Sequence, residues 1–220
     1  TYLAEIKGVK ILATSTGIGG PSASIAIDEL AQLGVRTFIR VGTTGAIQPY
    51  INIGDVIITS GSVRLDGAST HYAPIEYPAV AHHEVLFALI EAAKNLQGEL
   101  KNNFYVGLSV STDTFYPGQE RYDSYSKYVL KKFQGITEEW RKLNCLNYEM
   151  ESATVLTLGN ALGLRCGCVT GVIVNRTKEE KITREDLELG EKNAVKVAIE
   201  AAKLLITSNH ADRLSKNKER

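Results

Sequence analysis

The sequence is short of several features that mark specialised classes of protein. It has three cysteines in 220 residues, an odd number, and no His/Cys cluster with the spacing of metal ligands. Its 25 basic and 25 acidic residues cancel, which argues against a nucleic-acid partner. No apolar run is long enough to cross a bilayer, and the first residues lack the pattern of a secretory signal. We therefore expect a cytoplasmic protein with reduced thiols that binds a small molecule and neither nucleic acid nor a membrane.

What the chain does have is enough apolar material for one large core, with 44% hydrophobic residues. Short extended runs, glycine loops and segments of helical periodicity follow one another, which indicates an α/β fold. We expect a hairpin at Lys7-Gly8, a strand pair within 51–62, a single domain over residues 1–208 and a basic, polar tail over 209–220.

The stretch from Arg36 to Ala46 predicts a buried strand that opens into the loop Gly42-Thr43-Thr44-Gly45. Its glycines let the backbone approach a ligand, its threonines offer hydroxyls, and Arg40 brings a planar fork of donors. Ligands of open α/β sheets bind beyond the carboxyl ends of the strands. A phosphate site and a plain glycine turn with Arg40 in an ordinary ion pair both fit this segment.

A loop rich in unusual residues follows the predicted strand 104–111. It holds Phe115 and, two residues apart, Gln119 and Arg121. An amide and a guanidinium side by side can bind the edge of a planar heterocycle, and an aromatic ring can pack on its face. A surface turn with an arginine salt bridge is the other interpretation. The density of such residues favours a pocket for a base.

Two glutamates bracket Met150 where a strand gives way to a helix. Glu151 can accept hydrogen bonds from vicinal sugar hydroxyls, and the Met150 thioether can lie against a ribose. A helix start also favours acidic residues because of the helix dipole. The dipole explains one glutamate but not both Glu149 and Glu151.

The run from Leu164 to Val174 is apolar enough for a central strand and ends in Asn175-Arg176-Thr177. The earlier glycine loop, Gly17-Ile-Gly-Gly, lacks the full dinucleotide-binding spacing. A nicotinamide cofactor is therefore not expected.

Taken together, these motifs resemble the nucleoside phosphorylase family, in its uridine phosphorylase branch. The segments that carry the resemblance are Ser15–Ser22, Arg40–Pro49, Phe115–Asp123, Asn147–Ser152 and Gly171–Thr177. The resemblance implies a three-layer α/β/α fold with a mixed, partly barrel-like central sheet. It also implies cleavage of uridine by inorganic phosphate, with no required cofactor, in a hexamer built as a trimer of dimers.

The resemblance further implies which residues bind each part of the substrates. Phosphate would be bound by Arg40, Gly42 and Thr43, and ribose by Thr43, Glu149, Met150 and Glu151. Uracil would be bound by Gln119, Arg121, Phe115, Tyr148, Ile173 and Val174. Arg176 would position Arg121 and complete a catalytic set of Gln119, Arg121 and Arg176. Ser22 and the backbone of Ile18 match part of a potassium site.

The chain also departs from the family. A first strand ending in Gly-Asp-Pro-x-Arg, a second phosphate arginine and the glutamate after it do not occur in this sequence, so we expect the family's N-terminal segment to be missing. One alternative is a purine nucleoside phosphorylase or nucleosidase, against which Asn175, an aspartate in purine relatives, and the Gln119/Arg121 pair argue. The other is a nucleoside-binding protein without turnover, because phosphate ligands are absent.

Overall fold

A computed structural model describes residues 1–100, 102–178 and 180–216, with side chains as far as Ser208. The strands are β1 (Tyr2–Ile6), β2 (Val9–Ala13), β3 (Thr37–Ala46), β4 (Val56–Leu65), β5 (Ala79–Val80), β6 (Phe104–Thr112), β7 (Cys145–Glu149) and β8 (Arg165–Asn175). The helices are α1 (Gly20–Gln32), α2 (His83–Asn95), α3 (Gln97–Leu100), α4 (Ile136–Lys142), α5 (Ser152–Ala161) and α6 (Arg184–Lys216). Helix α6 continues into the predicted tail, whose residues 217–220 and side chains from 209 onward lie outside the described part.

Five of the strands close into a barrel in the order β4, β6, β7, β3 and β8, with β8 pairing back to β4. The pairs β3–β8, β4–β6 and β6–β7 are parallel, whereas β3–β7 and β4–β8 are antiparallel. The short β5 lies antiparallel to β4 at its edge. The prediction of a mixed, partly barrel-like sheet is confirmed.

Helices cover the barrel on two sides. On one side α2 and α6 pack on β4 and β8, around residues such as Val85, Leu89 and Val169. On the other side α1 and α5 pack together, around Ile27 and Leu156. This arrangement follows from apolar residues that recur at helical spacing and face the sheet, and it confirms the three-layer α/β/α prediction. No helix in the described residues has the length and apolar character needed to span a membrane.

The predicted hairpin at the start of the chain is present as β1 and β2. Lys7 and Gly8 both have positive φ, 50° and 78°, as a two-residue hairpin turn of the favoured hand requires. The predicted strand pair within 51–62 is wrong, because one strand, β4, begins at Val56. The Asp55 carboxylate accepts hydrogen bonds from the amides of Asn52 and Asn103 at 2.8 and 2.9 Å, which holds the preceding residues in a turn.

Polar side chains join four barrel strands in a buried chain of hydrogen bonds. Thr59 on β4 lies 2.7 Å from Ser109 on β6, and the Ser109 hydroxyl donates to Asn147 Oδ1 on β7 at 2.9 Å. Asn147 Nδ2 then donates to Thr44 Oγ1 on β3 at 2.7 Å. An unsatisfied buried polar group costs about 1–3 kcal/mol, so this chain of bonds favours one alignment of the strands that carry the site.

Helix α6 approaches β8 closely enough for backbone to touch backbone. A Cβ atom on Gly171 would overlap the carbonyl group of Gly190, and one on Gly190 would lie 2.8 Å from Ile173 Cγ2. Glycine is needed at both positions because no side chain fits between the elements. The start of α6 is thereby held against the barrel.

Candidate active site

The carboxyl ends of β3 and β7 meet where Gly45 pairs with Tyr148, and this brings Arg40 to both predicted glutamates. Arg40 Nε lies 3.1 Å from Glu149 Oε2 and 3.0 Å from Glu151 Oε2, and Arg40 Nη2 also pairs with Glu151. Burial alone would lower the Arg40 pKa, but the charge of Glu149, with that of Glu151, raises this pKa well above its usual value. Arg40 therefore stays positively charged.

Two glycines contribute to this ion-pair cluster, one by leaving space and the other through its backbone N–H. A Cβ on Gly42 would lie 2.7 Å from Arg40 Nη1, so the missing side chain lets the guanidinium fold back over its own strand. Gly19, with a φ of 99°, donates its backbone N–H to Glu151 Oε1 at 2.6 Å. The loop before α1 and the start of α5 thus meet at Glu151.

The structure gives the two glutamates different environments. Glu149 accepts hydrogen bonds from Ser152 N at 2.8 Å, Ser152 Oγ at 2.5 Å and Glu151 N at 3.0 Å. It therefore caps the N-terminus of α5, as the helix-dipole interpretation requires. Glu151 instead faces Arg40 and the Gly19 amide, which makes it the better placed of the two to receive a ligand.

A second cluster forms at the loop after β6. Gln119 is 3% exposed and ends a short 3₁₀ helix, Pro117–Gln119. Glu120 then takes a left-handed conformation with φ 54°, which turns the chain so that Arg121 N donates to Tyr116 O at 2.8 Å. The Arg121 guanidinium carbon lies 4.3 Å from the centre of the Phe115 ring, a cation–π geometry.

Arg176 lies beside the same cluster. Its guanidinium carbon is 5.1 Å from the centre of the buried Tyr148 ring, and a Cβ on Gly45 would be 3.2 Å from its Cδ. Burial raises the Tyr148 pKa, so the phenol stays neutral. Tyr148 and Glu149 follow one another at the end of β7, so the same strand end contributes to the Arg40 cluster and to this base-side cluster of Phe115, Gln119, Arg121 and Arg176.

One residue of the base-side cluster escaped the sequence analysis. Glu180 pairs with Arg121 Nη1 and also accepts a hydrogen bond from Arg176 Nε at 2.9 Å. Burial alone would raise the Glu180 pKa, but the two arginines lower it. A lone glutamate in a charged loop gives no local signal of such contacts.

The remaining predicted residues lie on β3 and β8 or, for Met150, directly after β7. Thr43 is half-buried and pairs with Gly171 across β3 and β8, and Met150 is half-buried between the two glutamates. Val174 is buried, with Cγ1 3.3 Å from a Cβ placed on Gly45. A Cβ placed on Gly190 would lie 2.8 Å from Ile173 Cγ2, so Ile173 faces α6 whereas Val174 faces Gly45 on β3.

The sequence is similar to known phosphorylases over most of its length. The model of the phosphorylase superfamily matches residues 1–207. The chain belongs to the phosphorylase superfamily. It is 56% identical to uridine phosphorylase of Escherichia coli over 94% of this chain and 80% of that protein. It is also 49% identical to uridine phosphorylase of Thermococcus kodakarensis, over 93% and 70% of the two chains, and 37% identical to guanosine phosphorylase of Halorubrum lacusprofundi, over 86% and 71%.

Ser22 and Ile18, predicted from the resemblance as part of a potassium site, lie at the start of α1 and just before it. The Ser22 hydroxyl donates to the carbonyl oxygens of Ile18 at 3.1 Å and Gly19 at 3.0 Å. These three oxygen atoms converge, and oxygen is the donor that hard cations prefer. They fit part of a coordination shell.

The three thiols of this superfamily member are free and buried. Burial raises the pKa of Cys145 to about 11, of Cys166 to about 12 and of Cys168 to about 11. The thiolate is the form that reacts with Ellman's reagent. We therefore expect the native protein at pH 8 to react far more slowly than protein unfolded in guanidinium chloride. The unfolded protein should release about three equivalents of the coloured thiolate product. Rapid labelling of the native protein would contradict this burial.

Proposed function

We propose that this protein cleaves uridine with inorganic phosphate, reversibly, to uracil and ribose 1-phosphate. The observation that carries the proposal is the base-side cluster, where Arg121 is stacked on Phe115 beside buried Gln119. In the described residues Arg121 Nε is buried without a hydrogen-bond partner, so a donor is available to a carbonyl oxygen of a pyrimidine. The uridine phosphorylases at 49–56% identity support the same assignment.

Each substrate part has a set of ligands in this proposal. Phosphate lies at Arg40, Gly42 and Thr43, and ribose at Thr43, Met150, Glu149 and Glu151. Uracil lies among Gln119, Arg121, Phe115, Tyr148 and Val174, with Ile173 at the edge and Arg176 beside Arg121. The ribose is then placed between the anion and the base, where β3 and β7 meet.

The proposed mechanism stabilises charge on the leaving base without a general acid at Asn175. The Asn175 amide nitrogen donates to the carbonyls of Gln48 and Ile51 at 2.9 and 2.6 Å, and its oxygen accepts from Thr177. This side chain is therefore engaged in holding backbone. Two hydrogen bonds from charged donors to uracil would contribute about 3–6 kcal/mol, which corresponds to about 10²–10⁴-fold in rate. A general acid typically contributes a similar rate enhancement of roughly 10²–10⁴-fold.

Phosphate attack on the anomeric carbon depends on positioning and electrostatics. Here the single positive charge of Arg40 faces the two carboxylates of Glu149 and Glu151. Since that local balance is negative, a phosphate anion needs further cations. This shortage supports our proposal of a hexamer, a trimer of dimers, in which a neighbouring subunit completes the site.

Three further expectations belong to the same proposal. Residues 1–208 act as one domain in the cytoplasm, and no cofactor is required beyond phosphate as co-substrate. The oxygens of Ser22, Ile18 and Gly19 would provide part of a structural potassium site at a subunit interface, where the ion would link the loop before α1 to a neighbour.

The substrate assignment is tested by phosphate-dependent release of uracil from uridine and of hypoxanthine from inosine. We expect uridine to be cleaved faster, because Gln119 and Arg121 together match the edge of uracil. Faster cleavage of inosine would favour the purine alternative, in line with the 37% identity to a guanosine phosphorylase. Uridine binding in isothermal titration without uracil release would instead favour the non-enzymatic binder.

A further inference from the structure

Glu180 lies in the segment between the end of β8 at Asn175 and the start of α6 at Arg184. Its two carboxylate oxygens contact different partners, Oε2 with Arg121 Nη1 and Oε1 with Arg176 Nε at 2.9 Å. The side chains of Arg121 and Arg176 are 9% and 6% exposed, and that of Glu180 is 30% exposed. One carboxylate thus holds two buried guanidinium groups that come from separate loops.

The same two arginines keep one buried donor each without a partner among the described residues. These are Arg121 Nε and Arg176 Nη1. A buried N–H without an acceptor is destabilising, so each one needs an explanation, such as a ligand that accepts its hydrogen bond. Both donors belong to guanidinium groups that Glu180 fixes, so its two contacts decide where these donors point.

We propose that Glu180 is a positioning residue for the pyrimidine, which holds Arg121 and Arg176 together and leaves Arg121 Nε and Arg176 Nη1 to donate to the base. This inference rests on the proposed cleavage of uridine. It assigns to Glu180 a part in base recognition that the resemblance to known enzymes did not supply.

The positive charges of Arg121 and Arg176 also require a negatively charged partner such as Glu180. Two buried guanidinium groups beside Tyr148 and Phe115 would repel each other in a medium of low dielectric constant. The carboxylate between them lowers the charge of the group from +2 to +1. A single positive charge remains to stabilise the negative charge that develops on departing uracil.

The test compares wild type, Glu180→Gln and Glu180→Asp with the control Glu188→Gln. Glu188 also pairs with an arginine, Arg184, but both side chains are exposed on α6, at 63% and 86%. We expect Glu180→Gln to lower kcat on uridine by about 10- to 100-fold, the effect of a hydrogen bond between charged groups. The KM for phosphate should stay within about twofold, because phosphate is bound at the Arg40 cluster. Glu180→Asp should recover part of the rate.

A substrate with a better leaving group distinguishes a role in base recognition from a merely structural role, which would lower the rate equally on both substrates. The fluorine of 5-fluorouridine withdraws electrons and stabilises the departing base, so the rate loss of Glu180→Gln should be smaller on this substrate than on uridine. Equal losses on both substrates, or a rate equal to that of Glu188→Gln, would overturn the inference. A lower KM for uridine with an undiminished kcat would also overturn it, because it would show that the carboxylate competes with the base.

Measuring uracil binding tests the positioning role of Glu180 independently of whether the protein cleaves uridine. Isothermal titration of the same variants with uracil should show affinity at least about tenfold weaker for Glu180→Gln than for Glu188→Gln. If wild type fails to cleave uridine but this difference is found, the proposed reaction is wrong and the positioning role stands. If wild type cleaves uridine and the two affinities are equal, the positioning role is wrong.

Discussion

Replacing Arg121 with alanine is expected to lower kcat on uridine by about 10²- to 10⁴-fold, the equivalent of two charged hydrogen bonds to the base. One is that of Arg121 itself, and the other is that of Arg176, which shares Glu180 with Arg121. The guanidinium is stacked on Phe115, and its Nε is buried without a partner among the described residues. The stacking keeps the guanidinium oriented, and the unpartnered Nε is left to donate to a ligand. Initial rates of uracil release at saturating phosphate measure the effect.

The control for this variant is Arg184→Ala, which removes an arginine from an exposed ion pair with Glu188. Exposed pairs contribute about 0–1 kcal/mol, so rate and stability should hardly change. Arg121→Lys should fall between wild type and Arg121→Ala, since it keeps the charge but loses the planar fork. A parallel loss of folding stability and activity in Arg121→Ala would make Arg121 a structural residue and contradict the assignment.

Replacing Arg40 with alanine is expected to destabilise the fold by about 3–5 kcal/mol, as is usual when one partner of a buried ion pair is removed. The side chains of Glu149 and Glu151 are 0% and 9% exposed, so both carboxylates would stay buried without their cation. The same change removes the cation proposed to bind phosphate. Urea unfolding measures the first effect and phosphate-dependent turnover the second.

Arg40→Lys separates the two effects. A lysine keeps a positive charge near the carboxylates and should retain most of the stability, but it cannot bind two carboxylates and a phosphate through one planar group. We expect its KM for phosphate to rise by at least about tenfold. An Arg40→Ala protein as stable as wild type would show that the two glutamates do not depend on this cation.

Individual elements followed from the sequence because local patterns specify them, whereas the barrel-like order of the strands was predicted from the resemblance. The turn at Lys7-Gly8 and the apolar spacing of α2 act over a few residues, so the chain itself contains the necessary signal. The error within 51–62 arose because Asp55 binds the amide of Asn103, 48 residues away. That contact exists only once the chain is folded.

The site was predicted less completely, for the same reason. The segment around Arg40 fitted either a phosphate loop or an ordinary ion pair, and the structure shows the ion pair with Glu151, 111 residues away. Glu180 was missed because its partner Arg121 is 59 residues away. Residue types at strand ends therefore indicated which side chains were candidates for a site, whereas their pairing had to come from tertiary structure.

The close approach of Gly171 and Gly190 has a consequence for the segment that carries Glu180. The chain leaves β8 at Asn175 and returns to touch the same strand at Gly190, so this segment is a tether anchored at both ends. An insertion or deletion in this tether would change how far the Glu180 carboxylate reaches, whereas the contacts between the barrel strands would stay the same. Under the role proposed for Glu180, a change in the number of residues in this tether would alter base preference while the barrel core stays the same.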